Sequence, residues 1–200
     1  LILNKKEFDY MGIFNKKPKA TAMATLTVNA RLQPEERYEF YEKQLSKFFK
    51  KGRLGVVDGG ETLYAEEGGP INCNININYY IDKKDIIIQL MQKLPAPVGS
   101  VLTFADGEEK YELGDFEGMA IYLNGTELDN SVYETCDVNY VVDEISQLIG
   151  EELAFFSHWR GDKETALYFY STSFEQMKSV TEEFIKTYPL CQKCRIEQIA

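Results

Sequence analysis

Over residues 23–32 apolar side chains fall on every second position, Ala24, Leu26, Val28, Ala30 and Leu32, with mainly polar residues between them. Such alternation predicts a half-buried strand. The period then changes. Pro34 opens a helix in its first turn, Glu35 and Glu36 suit the positive helix start, and Lys47, Lys50 and Lys51 suit its end. Tyr38, Tyr41, Leu45, Phe48 and Phe49 form the stripe predicted to be buried. Residues 54–63 read as a strand bulged at Gly59 and Gly60, with a turn at residues 66–70. The hairpin partner is explicit: Ile71, Cys73, Ile75, Ile77, Tyr79 and Ile81 alternate with Asn72, Asn74, Asn76, Asn78 and Tyr80. One sheet face is therefore apolar and the other a row of amides, for which solvation is the expected state. A helix over residues 82–94, stopped by Pro95 and Pro97, and a strand over 101–105 complete the set.

The same order then repeats. Residues 119–123 read as a strand and Asn124-Gly125 as a turn; Asp137 caps a helix whose Val138, Val141, Val142, Ile145, Leu148 and Ile149 form an apolar face ended by Gly150. Strands over 153–159 and 165–171 flank a turn at 160–163. Ser173 with Gln176 reads as a capping box for a helix carrying Phe174, Met177, Val180, Phe184 and Ile185, and residues 195–200 close the chain as a strand. Strand, helix, strand, strand, helix, strand used twice predicts an α+β fold of two tandem ferredoxin-like (βαββαβ) units, with antiparallel sheets and helices packed on them. The expected division is a flexible basic leader at 1–20, a first unit at 21–106, an acidic, glycine-bearing link at 107–117 and a second unit at 118–200. Met11 reads as a natural start, so residues 1–10 are set aside from fold reasoning.

Charge narrows the partners. The net charge is −10, but residues 1–53 carry 12 Lys/Arg against 6 Asp/Glu, whereas residues 54–200 carry 10 against 26. An acidic body repels phosphate backbones, which predicts no nucleic-acid partner and favours a basic protein. Leu1-Ile2-Leu3 is too short for a signal-peptide core, and no run approaches the ~20 apolar residues of a membrane helix, so a cytoplasmic protein without stable membrane association is expected.

The chemistry-bearing residues are few. His158 is the single histidine, and inside an aromatic strand it reads as a packed, hydrogen-bonded residue before a general base. Gly59-Gly60 and Gly68-Gly69 lack phosphate-loop spacing. Cys191-Gln192-Lys193-Cys194 supplies two of the four ligands a closed zinc site needs, and no second pair completes it. No catalytic residue, cofactor or metal is assigned, and the chain is expected not to be an enzyme. In the second hairpin both strand faces carry large groups, which predicts cover on both sides, largely by the other unit. Tyr122, His158, Tyr168 and Tyr170 are the candidates for an exposed, partner-binding remainder.

The segments Val57-Asp58-Gly59-Gly60-Glu61-Thr62, Ala96-Pro97-Val98-Gly99-Ser100, Gly118-Met119-Ala120-Ile121-Tyr122-Leu123-Asn124-Gly125, the run from Trp159 to Tyr170, and Tyr188-Pro189-Leu190-Cys191 resemble those of an uncharacterised family of small acidic bacterial proteins, over most of residues 25–200. That resemblance implies no activity and brings no catalytic residue. In type, though not in motif, the chain is also similar to immunity proteins that neutralise basic toxins. The expected function is a non-catalytic, immunity-like module binding a basic protein. The alternative is a small-ligand sensor using the cleft between the units, and the third an enzyme with convergent acids around His158 or Cys191.

Overall fold

The computed structural model describes residues 19–200 apart from Glu67, Asp106 and Glu108, so most of the expected leader lies outside the described residues. Strand β1 (Thr21–Val28) leads into helix α1, which enters as Pro34–Arg37, passes through a π-helical turn at Tyr38–Glu42 and continues as Lys43–Gly52. The hairpin β2 (Gly55–Tyr64) and β3 (Pro70–Tyr80) follows, then α2 (Lys84–Met91) and β4 (Ser100–Phe104). β5 (Lys110–Leu113) pairs antiparallel with β4 and widens the sheet to the order β2-β3-β1-β4-β5. Residues 110–113 of the segment expected as a link, where a short strand is also readable from the sequence, thus form a sheet edge.

The second unit runs β6 (Glu117–Asn124), α3 (Asn130–Thr135), α4 (Val138–Ile149), β7 (Phe155–Arg160), β8 (Glu164–Ser171), α5 (Phe174–Thr187) and β9 (Arg195–Gln198), with sheet order β7-β8-β6-β9. Leaving β5 aside, both sheets follow the same order and pair antiparallel throughout, so the fold is the α+β tandem of ferredoxin-like units that the repeated pattern predicts. Among the described residues no helix is long and apolar enough to cross a membrane. The caps behave as their residue types require: Asp137 accepts from the Asn139 backbone N–H at 2.8 Å, and Ser173 from that of Gln176 at 3.3 Å.

The register of β3 is the one its alternation predicts. Cys73, Ile75 and Ile77 are buried, while Asn76 is exposed and Asn72, Asn74 and Asn78 are half-buried. Asn74 accepts from the Thr27 hydroxyl at 2.8 Å and donates to Glu61 at 3.1 Å; Asn78 donates to Asp58 at 2.9 Å. The bulge lies where the glycine pair places it, between Val57 and Gly60, with Gly59 at φ 72°.

Helix α1 departs from expectation. Tyr41, Leu45 and Phe49 are buried, but Tyr38 and Phe48 are 50% and 52% exposed. The π turn is the reason: it sets residues five apart over one another, so Arg37 and Glu42 take the inward positions and Tyr38 is carried out.

The two units share a core. On the sheet face turned away from the second unit's helices, Ala120, Ala166, Tyr168 and Tyr170 are buried in one cluster with Leu32, Tyr41 and Cys73 of the first unit. Met119, Ile121, Leu167 and Phe169, on the opposite face, pack under α4 and α5 in a separate cluster. Polar links pin the junction: the Arg31 N–H donates to the Tyr170 hydroxyl at 2.8 Å, and the Ser157 hydroxyl donates to the Arg31 carbonyl at 2.5 Å. Gly69 meets the second unit so closely that a Cβ there would lie 2.8 Å from the Trp159 ring.

Burial pushes the phenols of Tyr41, Tyr168 and Tyr170 well above their usual range. The unfolded chain releases these protons near pH 10 while the folded one keeps them. Stability is therefore complete below about pH 10 and falls above it, by about 1.4 kcal/mol per pH unit for each such tyrosine. Urea melts across that range should show the loss, and Tyr170→Phe should flatten the slope by one tyrosine's share.

Candidate functional site

Three of the four residues expected at a partner surface are drawn into the junction. Tyr168 and Tyr170 are 2% and 0% exposed; the Phe155 ring stacks on Tyr170 at 4.3 Å, and Phe40 of the first unit lies 5.5 Å from Phe155. Tyr122 is half-buried, edge-on to Tyr168 at 6.4 Å, with the Arg195 guanidinium 3.7 Å over its ring. The expected aromatic anchors are thus occupied by the first unit. Alternation on β8 explains it: Ala166, Tyr168 and Tyr170 share the face that the first unit covers.

His158 stands apart. It is exposed on β7, on the other face, with its ring parallel to that of Phe156 at 6.0 Å. It forms part of the wall of a cavity of about 600 Å³ that lies wholly in the second unit. The cavity has a structural origin. Val141, Ile145 and Ile149 clamp α4 on the sheet, but the end of the β7–β8 hairpin projects past the helix start and leaves its side chains uncovered. Leu123, Val142, Phe156, Leu167 and Leu190 supply apolar wall; Asn139, His158, Arg160 and Asp162 supply the polar part.

Several polar groups at this cleft already have work. Asp137 is held by the Asn139 backbone and side-chain N–H groups at 2.8 and 3.0 Å. The Tyr133 hydroxyl accepts from the Leu128 N–H at 3.0 Å and donates to the Asn124 carbonyl at 3.3 Å, which fixes the loop after β6. Glu164 forms a two-point pair with Arg195, one contact being Nη2 to Oε1 at 3.1 Å. Among the described residues, His158, Arg160 and Asp162 make no ion pair within 4 Å. Arg160 therefore offers its guanidinium fork to a bound group in a recess whose wall is apolar and polar in about equal measure.

Sequence reasoning singled out His158 but missed the groups that make its surroundings a recess. Arg160 and Asp162 were read as turn residues, and α3, which carries Tyr133, was not foreseen because none of its six residues is buried. Period-two alternation on β7, Phe156, His158 and Arg160, was the available signal.

The cysteines divide into two groups. Cys73 is buried in the first core, its thiol near the Ala30 carbonyl at 3.7 Å. Cys136, Cys191 and Cys194 lie close enough to influence one another, in the core beneath α4 and α5. Among the described residues no group of three or more His, Cys, Asp or Glu is placed to hold a metal ion.

No family model matches the chain, and no curated protein does. A solved structure, the first two RRM domains of the yeast poly(U) binding protein Pub1, is similar at 11% identity and TM-score 0.26, over 88% of this chain and 99% of that one. The expectations of a basic protein partner and of no nucleic-acid partner are corrected by that neighbour, which is by name a poly(U) binding protein. Tyr168 and Tyr170, expected as partner anchors, are instead taken up in the junction, and the 600 Å³ recess lies in the second unit and not between the units.

Proposed function

We propose that this chain acts by binding rather than catalysis, and that the second unit's cleft holds a small amphipathic anion. The observation that carries this reading is Arg160, exposed and without an ion pair in the lining of a cavity whose apolar wall is Leu123, Val142, Phe156, Leu167 and Leu190; of the carboxylates that share the lining, Asp137 is held by Asn139 and Glu164 by Arg195, and Asp162 stands beside Arg160 in the turn. An apolar body buried against that apolar wall gains roughly 25 cal/mol per Å² removed from water, and a carboxylate or sulfonate meets the guanidinium fork with two parallel hydrogen bonds. Catalysis is less well supplied. No carboxylate among the described residues hydrogen-bonds His158 to orient it, and the cleft's Cys136 belongs to the thiol group beneath α4.

The test uses a fluorescent aromatic sulfonate as probe and aryl carboxylates as competitors. One probe is expected per chain, with displacement by the carboxylates. Arg160→Gln should weaken binding about tenfold or more, since a hydrogen bond to a charged group contributes about 1.5–3 kcal/mol. Phe156→Ala should weaken it through lost contact, and Lys163→Gln, outside the lining, should not. Unchanged affinity in Arg160→Gln would remove the reading.

A further inference from the structure

The loop between α5 and β9 closes on itself in a way its residues do not favour. Cys194 donates its backbone N–H to the Cys191 carbonyl at 3.2 Å, with Gln192 at φ −60°, ψ 138° and Lys193 at φ 57°. These are the angles of a type II turn, whose third position ordinarily takes glycine or asparagine because φ is positive there. Here it is a lysine, and its ammonium is anchored by the Glu127 carbonyl at 2.9 Å in the loop after β6. The turn is therefore held by the surrounding structure against the local preference of its own residue, a condition that marks positions kept for use.

A closed four-residue turn brings its end Cα atoms within 7 Å, the range a disulfide requires. Cys191 is 3% exposed while Cys194 is half-exposed, so one thiol can be reached from outside and the other waits behind it. Cys136, which lines the cleft, lies within electrostatic reach of Cys191.

We propose that Cys191 and Cys194 form an oxidation site that closes reversibly to a disulfide with a small disulfide oxidant such as oxidised glutathione. The Cys194 thiolate attacks one sulfur of the oxidant, forming a mixed disulfide and releasing one reduced thiol. Cys191, deprotonated, then attacks the Cys194 sulfur; the protein disulfide forms and the second glutathione leaves as its thiol. The two protein thiols are oxidised, the oxidant is reduced by two electrons, and the two protons they give up end on the two glutathiones. Burial pushes the Cys191 thiol up to about 12 and raises that of Cys194, so closure is slow at neutral pH and quickens as pH rises.

The full chain is incubated with oxidised glutathione at two pH values, quenched by alkylation and mapped by mass spectrometry. The expected product has lost two hydrogens and links Cys191 to Cys194, and dithiothreitol restores it. Cys191→Ser should trap the mixed disulfide on Cys194, Cys194→Ser should yield little of either product, and Cys136→Ser should leave the bond forming. Lys193→Gly, which adopts the turn without strain, should form it at least as readily. Alkylation of both thiols after long exposure at the higher pH, or a bond that requires Cys136, would overturn the assignment.

Discussion

Tyr170→Ala should lower the free energy of unfolding by about 3–5 kcal/mol, the range for removing a fully buried aromatic side chain. The ring is 0% exposed, stacks on Phe155 at 4.3 Å and belongs to the cluster that joins the two units. Its hydroxyl adds a second, separable contribution. The Arg31 N–H donates to it at 2.8 Å, so Tyr170→Phe strands a backbone donor at the junction, at a cost of about 1–3 kcal/mol. Because the core is continuous across the junction, far-UV circular dichroism and the fluorescence of Trp159, the single tryptophan, should report one coincident transition in the unaltered chain. In Tyr170→Ala the two signals should move apart as the units lose their common core. A loss below 1 kcal/mol with coincident transitions would show that the units are joined by other contacts.

The fold was legible where one period ran without interruption. The alternation of Ile75 and Ile77 with Asn74, Asn76 and Asn78 admits a single register, since a slip of one residue would bury the amides, and the structure has that register. What the sequence did not disclose was which object covers each face. Cover by the other unit was expected for most of the second hairpin, but Tyr168 and Tyr170 read as its exposed remainder and are buried, because alternation shows that a face is apolar and not what lies on it. The π turn was hidden for a related reason: Tyr38, Tyr41, Leu45 and Phe49 fit an unbroken helix, and nothing in that spacing marks an inserted residue. The recess was hidden because it arises between a hairpin end and a helix start, whose separation depends on packing far along the chain.

That π turn carries the second large effect. It sets Arg37 and Glu42 side by side, Nε to Oε1 at 2.6 Å with side chains 10% and 9% exposed, and Arg37 Nη1 also donates to the Thr62 hydroxyl at 3.0 Å. Gly60 of the bulged strand leaves the room; a Cβ there would lie 2.4 Å from the Asn74 carbonyl and 3.2 Å from the Glu42 carboxylate. Taking both charges from water is costly, and their attraction in the core repays it only while both are present. Glu42→Leu leaves a guanidinium buried with only a hydroxyl, and should cost about 3–5 kcal/mol in urea melts; Arg37→Met should cost a similar amount by stranding the carboxylate. Together the two substitutions should restore most of the loss, to near the stability of the unaltered chain or above it, because no buried charge remains. Far-UV circular dichroism should then show α1 still formed, its turn settled by apolar packing. A double variant that stays as unstable as either single variant would mean that the ion pair stabilises the fold outright and that the desolvation argument fails at this site.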